Sequence, residues 1–244
     1  MESRDLVQQV CPPIAAMGSM FYFDPGTLAR GKEAGLDGFR LYMLGRGGVL
    51  GDVEPTVVHS AFGYFNPDLV AKIWNSARET MASRDGGRLY MECAGAFGSS
   101  KLGGVAGLGA FNAAADKVID FGLADPAAQA LFAAIATEPR SDEPAARAFQ
   151  NVAVLRELRG SLHLVAIVAS GLSTEMAHRV RRPDDVEMFG WSNDAEVTDE
   201  HRAKWESAEA LTDELILPIY GVLDGAEAQA LADGVAAIEA DLTG

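Results

Sequence analysis

The sequence predicts a mostly α protein built from two tandem, degenerate copies of one helix-turn-helix-like unit. Three observations carry this. Proline, glycine and charge divide the 244 residues into short blocks of helical periodicity, and no run alternates apolar with polar residues as a half-buried strand would. The second half repeats the first in outline: the segment ending Ala169-Ser170-Gly171-Leu172 corresponds to the one ending Arg46-Gly47-Gly48-Val49-Leu50. Each is followed by a helix bearing a histidine, His59 in VVHSAF and His178 in EMAHRV, and then by a proline, in NPDLVAKIW and RPDDVEMFGW. Finally, an apolar fraction of 48% can fill one large core or two smaller ones.

The elements follow in order. Residues 1–82 make the first repeat. Its helix through Leu36, Phe39, Leu41, Met43 and Leu44 is expected to end at Gly45-Arg46-Gly47-Gly48, read as a glycine-rich C-cap. Pro55 then suits the first turn of a helix carrying Val57, Val58, Ala61, Phe62 and Phe65, and Asn66-Pro67 starts another through Leu69, Val70, Ile73 and Trp74. Residues 83–145 read as a glycine-rich connector followed by helices, at Ala113 to Phe121 and Ala127 to Ala136. The glycines have no nucleotide-loop spacing, which leaves a flexible connection or close helix packing through small residues. Residues 146–244 hold the second repeat and the C-terminal helices. There Pro218 is expected to break an acidic helix running from Thr198 to Leu217, and Asp224 to cap a last helix from Gly225 to Leu242.

Composition narrows the function. Lys plus Arg number 20 against 35 Asp plus Glu, a net charge of -15, which opposes binding to nucleic acid or anionic lipid. Duplex DNA is therefore an unfavoured partner. Between Asn193 and Glu214 eight acidic residues outnumber Arg202 and Lys204. The basic run HRVRRP, with Arg179, Arg181 and Arg182, reads as cations at the negative end of a helix dipole. No apolar segment is long enough to suggest a membrane span, and the N-terminus lacks the pattern of a secretory signal. Two distant cysteines, Cys11 and Cys93, build no disulfide framework, so a reducing cytoplasm is the expected compartment.

One stretch carries the candidate chemistry. In LRELRGSLHLVAIVASGL, Leu155, Leu158, Leu162, Val165, Ala169 and Leu172 form the buried seam of an amphipathic helix. Arg156, Arg159, His163, Ala166 and Ser170 form the stripe beside it. Arg159 and His163 lie one turn apart and can converge on a carboxylate, phosphate or enolate oxygen, and His163 can serve as a general acid or base. Superposing the repeats puts Arg40 where His163 falls. The competing reading is structural: the arginines pair with Glu157 or other acids, and His163 is a satisfied interior histidine. Phe21, Tyr22, Phe23, Phe62, Tyr64 and Phe65 could line an apolar cavity or simply fill the core. The candidate set is thus His163 as catalytic residue, with Arg40, Arg46, His59, Arg156, Arg159 and Tyr64 binding ligand. The four histidines share no metal-binding spacing, no cofactor is specified, and Cys93 beside Glu92 in an apolar context would be an inert thiol if buried.

The chain resembles an actinobacterial family typified by SalK and EvbL, proteins of largely unassigned function related to helix-turn-helix regulators. The residues that carry the resemblance are GLDGF (35–39), Tyr42 with Gly45-Arg46 and Leu50-Gly51, VVHSAFGYFNPDLV (57–70), the LRELRGSLHLVAIVASGL stretch, Phe189-Gly190-Trp191, and Thr212-Asp213-Glu214-Leu215 with Pro218. Where members of the family read RGDxH, this chain has Ser161 in place of the carboxylate beside the histidine. Phe149 and Gln150 replace their tryptophan and histidine ahead of the LRE. The resemblance implies a degenerate, winged-helix-like scaffold of MarR type, with C-terminal helices that dimerise. The function expected from all of this is binding of a small, anionic or partly apolar molecule on a scaffold that has lost DNA binding. The alternatives are a helix-turn-helix transcriptional regulator and an interaction partner in a biosynthetic complex.

Overall fold

A 26-residue helix, Pro144–Ala169, is the axis of the molecule. Pro144 occupies its first turn, where no backbone donor is needed, and the Glu143 carboxylate caps it by accepting from the amides of Ala145 and Ala146 at 2.9 and 2.6 Å. The computed structural model describes residues 1–244 and is entirely helical. Its helices are α1 (Ser3–Met17), α2 (Pro25–Glu33), α3 (Gly38–Gly48), α4 (Pro55–Phe62), α5 (Pro67–Arg78), α6 (Ser83–Lys101), α7 (Leu108–Ala124), α8 (Ala130–Ala136), α9 (Pro144–Ala169), α10 (Thr174–Arg181), α11 (Asp199–Tyr220) and α12 (Gly225–Thr243). A 3₁₀ turn, Pro183–Asp185, follows α10. Around α9 pack α1, α6, α7, α8, α10 and α11. One hydrophobic cluster of 51 residues runs from Leu6 to Ile238, and a smaller one of Ala166, Ile167, Leu172, Ala177 and Ala208 joins α9, α10 and α11.

Several helices start where side chains predict. Asp24, Asp37, Asn66, Ser173 and Asp224 all accept backbone hydrogen bonds as N-caps. The expected starts at Pro55, Asn66-Pro67 and Asp224 are the observed ones.

The glycines are another matter. α3 does end at Gly48, as expected, but Gly45, Gly47 and Gly48 are its last helical residues and not a left-handed cap, and α6 runs unbroken through the segment expected to be a connector. A Cβ at Gly48 would sit 2.0 Å from the Ser83 carbonyl oxygen, and one at Gly98 would sit 2.4 Å from that of Ala145. The glycines let α6 press its backbone against α3 on one side and α9 on the other. Close packing, the alternative to a flexible connection, is what they provide.

Three further expectations change. α11 continues through Pro218 to Tyr220, because a proline in the last turn of a helix gives up only one late hydrogen bond. The RPDDVEMFGW segment forms only the 3₁₀ turn where its counterpart NPDLVAKIW forms the twelve-residue α5. Trp191 ties that irregular segment down by donating from Nε1 to the Tyr64 carbonyl at 2.8 Å. No strand is present, so there is no wing. Within the chain, α12 packs on α1 and α7 and buries Leu231, Val235 and Ile238.

Candidate functional site

Five walls, each following the three-and-four spacing of a helix face, enclose a cavity of about 710 Å³ that is partly open to solvent. α1 contributes Pro12, Ala15 and Ala16; α3 contributes Phe39, Tyr42 and Arg46; α9 contributes Arg156, Arg159, Gly160, His163 and Leu164. α10 adds His178 and Arg181, and α11 adds Trp205 and Glu209. Tyr22, Phe23, Phe62, Tyr64, Phe65 and Phe189 complete an aromatic lining. The turn between α4 and α5 crosses α9 at Gly63, where φ is +76° and a Cβ would meet Leu164 at 2.4 Å, so only glycine fits there.

The seam of α9 follows its prediction only in part. Leu155, Leu158 and Leu162 are buried, but Val165 is half-buried and Ala169 exposed. The arginine stripe is enclosed as well, because α9 has neighbours on nearly every side.

Charge in the cavity wall is ordered by three carboxylates. Glu157, with a side chain only 1% exposed, accepts from Arg46 Nε at 2.9 Å and Nη2 at 2.8 Å, and from Arg156 Nη1 at 2.7 Å. Burial alone would raise its pKa; the two guanidiniums outweigh that and hold it below the ordinary carboxylate range. Two cations on one anion leave the buried triad with a net positive charge. Arg46 lies 4.3 Å over the Phe62 ring and Arg156 5.4 Å over that of Tyr22. Deeper along the same face, Arg159 donates to Glu209 at 2.7 Å and to Asp213 at 3.5 Å.

His163 stands one turn beyond Arg159. Its Nδ1 lies 2.8 Å from Thr212 Oγ1, and its ring meets Trp205 edge-on at 5.0 Å. Burial, reinforced by the Arg159 charge and opposed by Glu209, pushes its pKa down to about 4. The imidazole is neutral at physiological pH. His178, whose ring lies tilted against that of Phe189 with centroids 3.9 Å apart, is also depressed by burial. A neutral imidazole beside fixed guanidiniums holds the parts needed to bind an anion and to exchange a proton with it.

Eleven buried side-chain polar atoms lack a hydrogen-bond partner, and five belong to cavity residues: Tyr22 Oη, Arg156 Nε, Arg159 Nε, His163 Nε2 and His178 Nε2. Buried polar groups are normally paired, so these five atoms are the cavity's free hydrogen-bonding positions, open to water or to a molecule that enters it.

The structure brings together Arg46, Tyr64, Arg156, Arg159 and His163. It does not bring Arg40, whose guanidinium turns back to Asp37 and the Gly35 carbonyl, nor His59, which is absent from the lining. Phe21 is core, fully buried against Tyr90 and Phe149. The family positions Phe149 and Gln150 are also structural: Gln150 binds the Ser141 amide and the Met91 carbonyl.

Cavity residues that the sequence did not assign to the site are His178, Arg181, Arg182, Trp205 and Glu209. Arg181 and Arg182 border the cavity instead of merely answering a dipole, while Arg179 is buried on Glu175 and the Ser192 carbonyl. On α11 the signal was available: Trp205, Glu209 and Thr212 share one face, but the surrounding acids obscured it. Both cysteines are buried, and desolvation raises each thiol to about 11, as expected of unreactive groups.

Fold and site define an all-α protein in which short helix-turn-helix segments enclose an arginine-rich cavity. The chain belongs to the Helix-turn-helix family, whose profile its residues 7–185 match. α11, which supplies Trp205, Glu209 and Thr212, lies outside the matched segment. No curated protein and no solved structure matches the chain.

Proposed function

We propose that this protein binds a small, anionic and partly apolar molecule in the cavity between α3, α4 and α9 to α11. The observation that carries the reading is a concentration of cations and unmet hydrogen bonds in one place. A chain of net charge -15 turns five arginines and no lysine into a single cavity, together with five of its eleven unpartnered buried polar atoms. Arginine suits this role because its planar fork pairs with carboxylate or phosphate while its face packs on aromatic rings. A volume of about 710 Å³ is that of a ligand pocket, and aromatic walls set among the cations favour a flat anionic body over a sugar or free phosphate. Thermal melting against a library of small carboxylates, phosphates and aromatic metabolites tests it. Anionic aromatics are expected to raise the melting temperature of the wild type and to lose that effect in Arg156→Gln. A library without hits, or hits that survive the substitution unchanged, counts against the cavity.

Family membership favours a second reading, a transcriptional regulator. In that reading α4 and α5 would face the duplex. The exposed face of α5 offers Asp68, Lys72 and Asn75, and Arg78 turns inward to Asp52 and the Val53 carbonyl. One free cation is a poor match for a phosphate backbone. An electrophoretic shift at physiological salt with the chain's own promoter is expected to show no specific complex. A submicromolar one would favour the regulator.

A further inference from the structure

The hydrogen-bonding state of His163 specifies more about the occupant, if the cavity reading above holds. Thr212 Oγ1 donates to the Ala208 carbonyl at 2.6 Å. A hydroxyl has one proton, so toward His163 it can only accept, and the proton between them belongs to Nδ1. The neutral imidazole therefore carries its lone pair on Nε2. That atom is buried without a partner on a side chain only 8% exposed, and the nearest charged group, Glu209 Oε1 at 3.8 Å, is another acceptor. Two acceptors side by side leave a place for a donor.

Along the same helix face the deficit is reversed. Arg159 Nε and Arg156 Nε are buried donors with no acceptor. They sit four and seven residues before His163, about 6 and 10 Å along the axis at 1.5 Å per residue. Between them and around them the walls are aromatic: Tyr22, Phe62, Tyr64 and Trp205.

We propose that the cavity takes hydroxyaryl or enolic carboxylates. One O–H of the ligand donates to His163 Nε2, beside Glu209, and the carboxylate, one or two fused rings away, accepts from Arg159 and Arg156. The occupant is thus an acid with a hydrogen-bond donor at its far end.

The test uses calorimetry on the full chain with 6-hydroxy-2-naphthoate, its 6-methoxy ether and 2-naphthoate. The wild type is expected to bind the hydroxy acid at least tenfold more tightly than either analogue. His163→Leu abolishes that preference while still binding 2-naphthoate, and Thr212→Val, which frees the tautomer, reduces it. Arg159→Gln weakens all three acids and keeps the preference. Should His163→Leu not fold, the comparison of ligands on wild type and Thr212→Val decides. Equal binding of hydroxy and methoxy acids overturns this assignment and leaves the cavity reading standing. Failure of all three to bind overturns both.

Discussion

Two buried clusters on α9 have the same composition and different surroundings. Near its start Asp116 of α7 accepts from Arg147 at 2.9 and 3.1 Å and from Asn151 at 3.1 Å, with Arg140 3.7 Å away. Near its middle Glu157 accepts from Arg46 and Arg156. Each is two guanidiniums on one carboxylate. The Asp116 side chain, however, is 24% exposed, and its partner Arg147 also holds backbone, donating to the Ser141 carbonyl. Glu157 is 1% exposed, and both of its arginine partners, Arg46 and Arg156, line the cavity. An excess cation that water reaches is a structural tie; the same excess behind aromatic walls is what the proposed anion would meet.

The largest expected effect would break this contrast outright. Glu157→Gln leaves two buried guanidiniums without their counter-ion and should cost about 3 to 5 kcal/mol in urea denaturation, whereas Asp116→Asn should cost about 1 kcal/mol. Equal losses would mean that the two clusters are equivalent and that the cavity adds nothing.

Gly48→Ala acts on the same triad from a distance. The added methyl meets backbone at Ser83 and Gly87, so α3 must move off α6 and carry Arg46 with it. A loss of about 1 to 3 kcal/mol is expected from overpacking, together with weaker ligand binding. Stability unchanged in the variant would show that the α3 and α6 contact has slack.

How much of this was legible in the sequence follows the range of the interactions. N-caps and proline starts are local, so α4, α5 and α12 could be read from Pro55, Asn66-Pro67 and Asp224. Gly45 to Gly48 misled because a glycine that ends a helix and one that admits a neighbouring helix look alike in one dimension. Only the Ser83 backbone, 35 residues away, tells them apart. In the site, the Arg159 and His163 pair was visible because both lie on one helix. Glu157 was named as a partner for its neighbouring arginines, but its bond to Arg46, 111 residues distant, was not visible. The Arg40 expectation failed because Asp37, three residues before it, supplies a closer anion than any cavity could.

A pH dependence separates the histidine from the carboxylate. The His163 pKa falls from 6.5 to about 4 on folding, so between those values the unfolded chain binds a proton that the folded chain refuses. Stability should therefore decline as pH drops from 6.5 toward 4, by up to about 3 kcal/mol, and His163→Gln should lack that part of the slope. Glu157 acts lower: its stabilising contribution is complete above its unfolded value near 4.5 and is lost only as pH falls through its depressed folded value. Identical slopes in variant and wild type between pH 6.5 and 5 would place a charged His163 in the native state.

The smallest effect on folding distinguishes rim from interior. Arg181 borders the cavity mouth, is exposed and has no ion pair within the chain. Arg181→Ala should change stability by less than about 0.5 kcal/mol, since nothing buried loses a partner. Its cation nevertheless stands on the route of an anion into a chain whose overall charge repels one. Association of an anionic naphthoate, followed by stopped-flow quenching of Trp205, should slow a few-fold at low salt and by much less at 1 M salt, where the Debye length is about 3 Å. Dissociation should hardly change, because the arginines that hold the ligand lie deeper, on α9. A slower association that persists at high salt would instead mean that Arg181 shapes the entrance, and that the steering charge lies elsewhere on the rim, at Arg182.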